Sequence, residues 1–420
     1  MKRGLLSFVL LMPLLTGAAP VDTGPVVNAI NTLGLDLYHA QSAGDGNLLF
    51  SPYSIQNALA MTYAGADGDT RAEMQRVLHY PADDTVLHGG FAELAQELAQ
   101  IQHDSAQMLA RTITIGLNPR TPIELHVANR LFVQDGYPLR TPFLALVKDN
   151  YGAEPEPLDF IHATEQACST INDWVKDQTK GKISNLISPG GISEKTRMVI
   201  VNAIYMLAGW KQPFKASETM ARPFFVRAKD GVPAPTMRKQ TVFSYKHYDG
   251  FAALALPYVG GGLQFLILLP DQRDGLPALE QKITPALLAE CTKLPKSDVI
   301  LYLPKFKLEP PSMALGDQLK QLGIQTAFDQ PKGSANFDLM APRKPDDYLS
   351  IGGVFHKAFL KLDEDGIEAA AATTIVMFTQ SMAYRPPQPI EVRVDHPFIF
   401  AIQHVPTGEC LFLGRVTDPR

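Results

Sequence analysis

The stretch Leu362–Pro389, LDEDGIEAAAATTIVMFTQSMAYRPPQP, constrains this chain more than any other. It starts acidic around one glycine, Gly366. It then runs through Ala369, Ala370, Ala371 and Ala372 into Thr373, Thr374, Ile375, Val376, Met377 and Phe378, and stops at Pro386, Pro387 and Pro389. No proline lies between Leu362 and Arg385, so every backbone N–H there can join a β-ladder. Every second residue from Ile367 gives Ile, Ala, Ala, Thr, Ile, Met, an acceptable buried face for a strand. The same alanines are the best helix formers. On these residues alone a buried helix is favoured over a strand, because short apolar runs do not separate the two. The rest of the chain has to arbitrate.

The 420 residues are 45% hydrophobic and 19% charged, a globular composition with ample length for a large core. A formal net charge of −5 offers no basic excess for a phosphate backbone, so nucleic acid is not an expected partner. Lys2 and Arg3 precede an apolar run, Leu5–Leu15, that is too short to span a bilayer and is followed by Gly17, Ala18 and Ala19. Residues 1–19 therefore read as a secretory signal cut near Ala18–Ala19, which predicts a secreted or periplasmic protein with no membrane partner. An odd number of cysteines, Cys168, Cys291 and Cys410, leaves at least one thiol unpaired, and their wide spacing fits neither a metal knuckle nor a redox pair. Buried, inert thiols are the reading that remains.

Helical stripes run over Val26–Gln41 and, after the Ser51-Pro52 start, over Tyr53–Tyr63, which is apolar almost all round and belongs deep in the core. Thr70–Glu73 fits a capping box for a short third helix. Thr85–Gln102, Thr141–Gly152 and Ala163–Lys180 read as further helices, and Ser105–Pro122 gives no clear pattern. Leu125–Gln134 reads as a strand, and so does Met198–Leu207, which has one amide, Asn202, in mid-strand that needs buried partners. Strands follow at Leu263–Leu269, Val299–Leu303, Glu391–Val394, Phe398–His404 and Leu411–Val416, with helices over Leu276–Glu290 and Ser312–Leu322. Without repeats or a regular βαβ beat, the chain reads as one α+β domain.

Catalytic signatures are missing: no G-x-S-x-G elbow, no H-E-x-x-H and no P-loop. His356 and His396 lie in apolar sequence and read as hydrogen-bonded core histidines. Asp363-Glu364-Asp365 reads as a solvated acidic turn rather than a cation site. No enzyme activity, metal or cofactor is expected.

Six blocks in order resemble the serpin family: Asn47–Thr70; VANRLFVQ with FLALVKDNYGAEPEPLDF; Ile171–Ile187; Val201–Phe214; HKAFLKLDEDGIEAAAATT; and DHPFIFAIQHVPTGECLFLGRV. The resemblance spans Val26 to Pro419. It implies a single α+β domain over residues 22–420, with three β-sheets, eight or nine helices and an exposed reactive centre loop at 364–387. It also reverses the helix reading of the opening stretch. By the resemblance, a target endopeptidase attacks the loop and forms an acyl-enzyme. The freed segment then inserts into the central sheet as a new strand and traps the enzyme in a covalent complex. Serpin loop insertion is an established instance of strand addition and stored strain.

The hinge implied is Glu364, Gly366, Ile367, Glu368 and Ala369–Ala372, where alanines lose no side-chain entropy and Gly366 permits backbone change. Ser51, Ser54, Asn202 and His356 resemble the polar cluster where the strands part, and Trp210 the residue where insertion begins. Family loop length places the reactive bond at Gln380-Ser381, with Phe378, Thr379, Met382 and Tyr384 as alternates. Two departures stand out: Ile367 replaces the usual small Thr or Ser, and the loop is a few residues long before Pro386. The expected product is an exported, monomeric suicide inhibitor of serine, or cysteine, endopeptidases. The alternative is a non-inhibitory carrier or chaperone.

Overall fold

A computed structural model describes residues 21–42, 44–114, 121–367 and 388–420. Among them are nine α-helices: α1 (Gly24–Gln41), α2 (Pro52–Tyr63), α3 (Gly68–Val77), α4 (Asp84–Thr114), α5 (Thr141–Tyr151), α6 (Thr164–Gln178), α7 (Leu276–Glu280), α8 (Pro285–Glu290) and α9 (Gly316–Leu322). The early strands are β1 (Leu48–Phe50), β2 (Glu124–Gln134), β3 (Glu156–Leu158), β4 (Met198–Gly209), β5 (Met220–Arg227), β6 (Asp230–Tyr248), β7 (Phe251–Pro257) and β8 (Leu263–Pro270). The later ones are β9 (Lys296–Pro304), β10 (Phe306–Leu308), β11 (Met313–Ala314), β12 (Ile351–Leu362), β13 (Gly366–Ile367), β14 (Ile390–Arg393), β15 (Phe398–His404) and β16 (Cys410–Val416).

The central sheet has the order β10-β12-β13-β4-β2-β3, with β11 beside β12. Its middle is a parallel ladder between β4 and β12, from Ile351↔Met198 to Phe359↔Tyr205, and β2 flanks β4 antiparallel. β4 is buried at every position except Leu207, as a strand covered on both faces must be. Met198, Ile200, Ile204 and Met206 pack into the main core with α2, whose residues are all buried. Val199, Val201, Ala203 and Tyr205 face a second core under α6, whose Ala167, Ile171 and Val175 recur at four-residue spacing. The remaining strands run β1-β16-β15-β8-β7-β6-β9-β14, with β5 on β6. The long β6 serves three ladders: Asp230–Thr236 pairs with β5, Thr236–Ser244 with β9 and Ser244–Tyr248 with β7. The second and third sheets of the expected architecture therefore share a strand.

Several local readings change. Thr70 and Glu73 form no capping box. Asp67 caps α3 by accepting the Gly68 N–H, Thr70 Oγ1 accepts the Asn336 N–H, and Glu73 Oε2 accepts the Gln325 and Thr326 N–H groups of a distant turn. Leu276–Glu290 is two helices, because Pro285 cannot continue the first; Thr284 Oγ1 caps the second by accepting the Leu287 N–H at 3.1 Å. Met313–Ala314 pairs with β12 as a strand before α9 begins at Gly316. Of the unclear stretch Ser105–Pro122, the part up to Thr114 continues α4, and residues 115–120 lie outside the described residues.

Ile171 has no exposed surface and anchors α6 on the central sheet. Ile171→Ala should cost about 2–5 kcal/mol by urea unfolding. A cost below about 1 kcal/mol would contradict that packing.

Candidate sheet-opening site

At one end of the β4–β12 ladder, the chain after β12 turns back and lies between the two strands. Gly366 pairs with Gly209 and Ile367 with Ala208, antiparallel, and Ile367 also pairs with Leu362. Gly366 holds φ +135°, and a Cβ there would sit 2.2 Å from the Ala208 carbonyl oxygen and 2.8 Å from the Trp210 nitrogen. Only glycine fits this turn. The turn is fixed from β4's side: the Trp210 N–H donates to Asp365 O (2.8 Å), Trp210 Nε1–H to Asp363 O (3.0 Å) and the Phe214 N–H to Glu364 O (2.8 Å). The Trp210 ring is buried and stacks on Tyr258 at 4.7 Å.

The acidic turn is tied down rather than solvated. Glu364 meets Lys305 at 2.7 Å and accepts the Thr219 hydroxyl at 2.8 Å. Burial acts to raise its carboxyl, but the Lys305 and Thr219 hydrogen bonds outweigh it and hold the group below the usual range. Burial, with Asp363 and Glu364 alongside, pushes Asp365 up. Asp363 pairs with Lys361 at 3.2 Å.

Midway along the same ladder sits a buried polar network. Asn202 and His356 are register partners, and His356 Nδ1–H donates to Asn202 Oδ1. The Ser51 N–H donates to His356 Nε2 (3.1 Å), which assigns the ring as the neutral Nδ1–H tautomer. Asn202 Nδ2 donates to Ser54 Oγ (2.6 Å) and Asn129 Oδ1 (2.7 Å), and the Ser54 N–H donates to Ser51 Oγ (3.1 Å). The network thus ties α2 to β4 and β12 at once. Asn129, opposite Asn202 on β2, extends it: its Nδ2 donates to Ser54 O and to Asn57 Oδ1 (2.9 Å).

The family model Serpin (serine protease inhibitor) matches residues 28–419. This chain belongs to the serpin family. Leukocyte elastase inhibitor A of Mus musculus is 37% identical, covering 94% of this chain and 99% of its own length. An uncharacterised serpin-like protein of Thermococcus kodakarensis is also 37% identical, over 94% of this chain and 86% of its own length. The crystal structures of a highly specific serpin of the insect Tenebrio molitor (33% identity, 98% of that chain) and of uncleaved ovalbumin (28%, 100%) each superpose on 94% of this chain with TM-score 0.78.

In this serpin Ser51, Ser54, Asn202 and His356 form one hydrogen-bonded unit, while Trp210, Glu364, Gly366 and Ile367 meet at the end of the ladder. Glu368, Ala369–Ala372, Phe378, Thr379, Gln380, Ser381, Met382 and Tyr384 lie outside the described residues, as does the segment 1–19. Sequence reasoning missed Asn129, Asn57, Lys305 and Thr219. Asn129 left a readable trace, an amide in mid-strand in LHVANRLFVQ like that of Asn202 in MVIVNAIYML. His396 bonds to Asp395 (2.8 Å) and Pro270 O (2.7 Å) within the fold. The three cysteines are unpaired, and burial pushes the Cys291 thiol up to about 12, which leaves it unreactive.

Burial pushes the His356 imidazole down to about 3. The folded state thus resists a proton that the unfolded chain accepts near 6.5. The stability this group contributes is present above pH 6.5 and is lost as the pH falls toward 3, at about 1.4 kcal/mol per pH unit. Wild type should lose stability on acidification faster than His356→Gln by that margin, measured by urea unfolding between pH 6.5 and 4. Parallel profiles would contradict the assignment.

Proposed function

We propose that this serpin is an exported suicide-substrate inhibitor of serine endopeptidases, with cysteine endopeptidases as a second target class. The observation that carries the reading is the register of β13. Continued residue by residue, its pairing brings Ala371 opposite Ile204 and Ala358, and Thr373 opposite Asn202 and His356. Ile204/Ala358 and Asn202/His356 are already partners in the β4–β12 ladder. A strand inserted between them therefore satisfies both neighbours in one register, without a slip.

The same register assigns faces. Ala369, Ala371, Thr373 and Ile375 join the face of Met206, Ile204, Asn202 and Ile200, so the core-side hydroxyl arrives at the polar row. Ala370, Ala372, Thr374 and Val376 join the face of Tyr205, Ala203, Val201 and Val199 beneath α6. One ladder is broken and two are made. Each new hydrogen bond contributes about 1 kcal/mol net, and each fully buried Ile or Val about 1.5–3 kcal/mol.

A peptidase nucleophile attacks the scissile carbonyl, assigned to Gln380-Ser381, with Phe378, Thr379, Met382 and Tyr384 as alternates. Its acyl-enzyme is then dragged by the inserting segment before water can resolve it. Gln380 offers no cation to an acidic specificity pocket, which argues against trypsin-like targets. Export rests on the segment 1–19, and a monomer suffices for the mechanism.

Incubation with subtilisin-, elastase-, chymotrypsin- and papain-like enzymes should yield a covalent complex that survives boiling in detergent, its junction placed by mass spectrometry. Loop cleavage with full recovery of every peptidase would overturn the reading. Ala371→Arg, which places an unpaired charge on the core side of the inserted strand at a cost of several kcal/mol, should turn the inhibitor into a substrate. Undiminished inhibition by that variant would refute the face assignment.

A further inference from the structure

Glu409, in the turn between β15 and β16, is fully buried, and neither of its carboxylate oxygens has a hydrogen-bond partner. Its backbone is satisfied: the Glu409 N–H donates to Thr407 Oγ1 (3.3 Å), and its carbonyl accepts the His404 N–H (2.9 Å). Only the side chain is left over. From α4, Glu97 acts on it electrostatically; the Glu97 side chain is 35% exposed, but its Oε2 is covered and makes no hydrogen bond among the described residues. Glu93, on the same helix, acts on Glu97 in turn. The other groups facing the seam are Tyr53 of α2, His404 of β15 and Cys410 of β16. His404 is 2% exposed, is held by Thr407 Oγ1 at 2.8 Å and lies 3.7 Å from Glu97. Burial pushes its imidazole down to about 4, so it supplies no positive charge at neutral pH. No lysine or arginine is among the groups acting on Glu409. Among the described residues no group of three or more is disposed to hold a metal ion.

A fully buried carboxylate with another carboxylate within electrostatic reach, and with no hydrogen-bond donor or cation on it among the described residues, is not a stable arrangement. Binding a proton removes the charge and creates the missing donor. We infer that Glu409 is a proton-binding site and forms, with Glu97, a proton-operated latch that holds α4 against the β15–β16 turn. As the neutral acid, Glu409 offers its O–H toward Glu97 and the seam stays closed. On ionisation the proton leaves to solvent, and two carboxylates oppose each other across the seam. Burial and Glu97 together push the Glu409 carboxyl up to about 8, which puts this change near physiological pH.

What α4 does elsewhere gives the latch a consequence. Beyond Glu97 the helix holds the start of β2: Gln102 Oε1 accepts the Leu125 N–H (2.8 Å), and Ser105 Oγ accepts the Ile123 N–H (3.0 Å). Just before β2, the Thr121 carbonyl oxygen lies 3.0 Å from where a Cβ on Gly209 would be, beside the turn that places β13. Loosening α4 therefore loosens the end of the central sheet where the loop would insert. The effect on insertion rests on the function proposed above, but the proton site does not.

The sign is opposite to that of His356. Glu409's contribution is full below pH 4.5 and is lost as the pH rises toward 8. Above pH 6.5 the His356 contribution has levelled off, so the window from pH 6.5 to 8 isolates Glu409. There, the folding constant of wild type should fall relative to E409Q by up to about tenfold per pH unit, flattening as the pH reaches 8, measured by urea unfolding of the full chain. Hydrogen exchange at the Ile123 and Leu125 amides should quicken over the same window in wild type, compared with E409Q at each pH. If E409Q does not fold, E97Q serves. Removing the like charge lowers the proton affinity of Glu409, so the wild-type decline should move to lower pH. Parallel profiles of E409Q and wild type, or an unmoved decline in E97Q, would overturn the latch.

Discussion

The parallel ladder between β4 and β12 is the contact on which the rest of this serpin depends. It closes the centre of the sheet with two strands that run the same way and leaves between them the site an antiparallel strand would fill. The His356–Asn202 pair sits in the middle of that ladder and is bonded to Ser51 and Ser54 on α2, so parting the strands means dismantling a buried network. A fully satisfied buried network is costly to open and rigid while closed, which is what the proposed insertion mechanism would require of the sheet before it opens. At the end of the ladder, Gly366 and Ile367 occupy the first two positions of the gap, held there by Trp210 and Glu364.

Two buried groups that fasten the central sheet contribute to the pH response with opposite sign. His356 penalises acid because the folded state excludes a proton from a site with no room for charge. Glu409 penalises base because the folded state retains a proton that nothing else could replace. One bonds the sheet's middle to α2, and the other secures α4, which fastens the start of β2 in the same sheet. Both act through burial rather than through surface ion pairs, which carry little net stability.

Much of this was legible in the sequence, for reasons that differ by element. α2 announced itself through Ser51-Pro52 followed by unbroken apolar residues, and β4 through an apolar run interrupted by Asn202. β5 and β6 gave no signal, because Pro223, Pro233 and Pro235 lie within them and prolines argue against a strand. The capping box at Thr70 failed because both side chains are used by distant chain, Asn336 and the turn at Thr326. Glu409 follows the turn residues Thr407-Gly408 and was not singled out in the sequence; only the fold shows that it is buried. The alanines locally favour a helix, and only the resemblance of the surrounding blocks reversed that reading, because strand propensity reflects the surface a residue packs on more than the residue itself.

The most direct test of the account is whether the central sheet accepts the loop. The chain should be nicked once within residues 378–384 and heated beside the intact protein. Insertion completes the sheet, so the nicked form should unfold at a temperature higher by tens of degrees, in keeping with a gain of many hydrogen bonds and buried side chains. An unchanged midpoint would mean that β4 and β12 do not part to admit the strand, and would contradict the account.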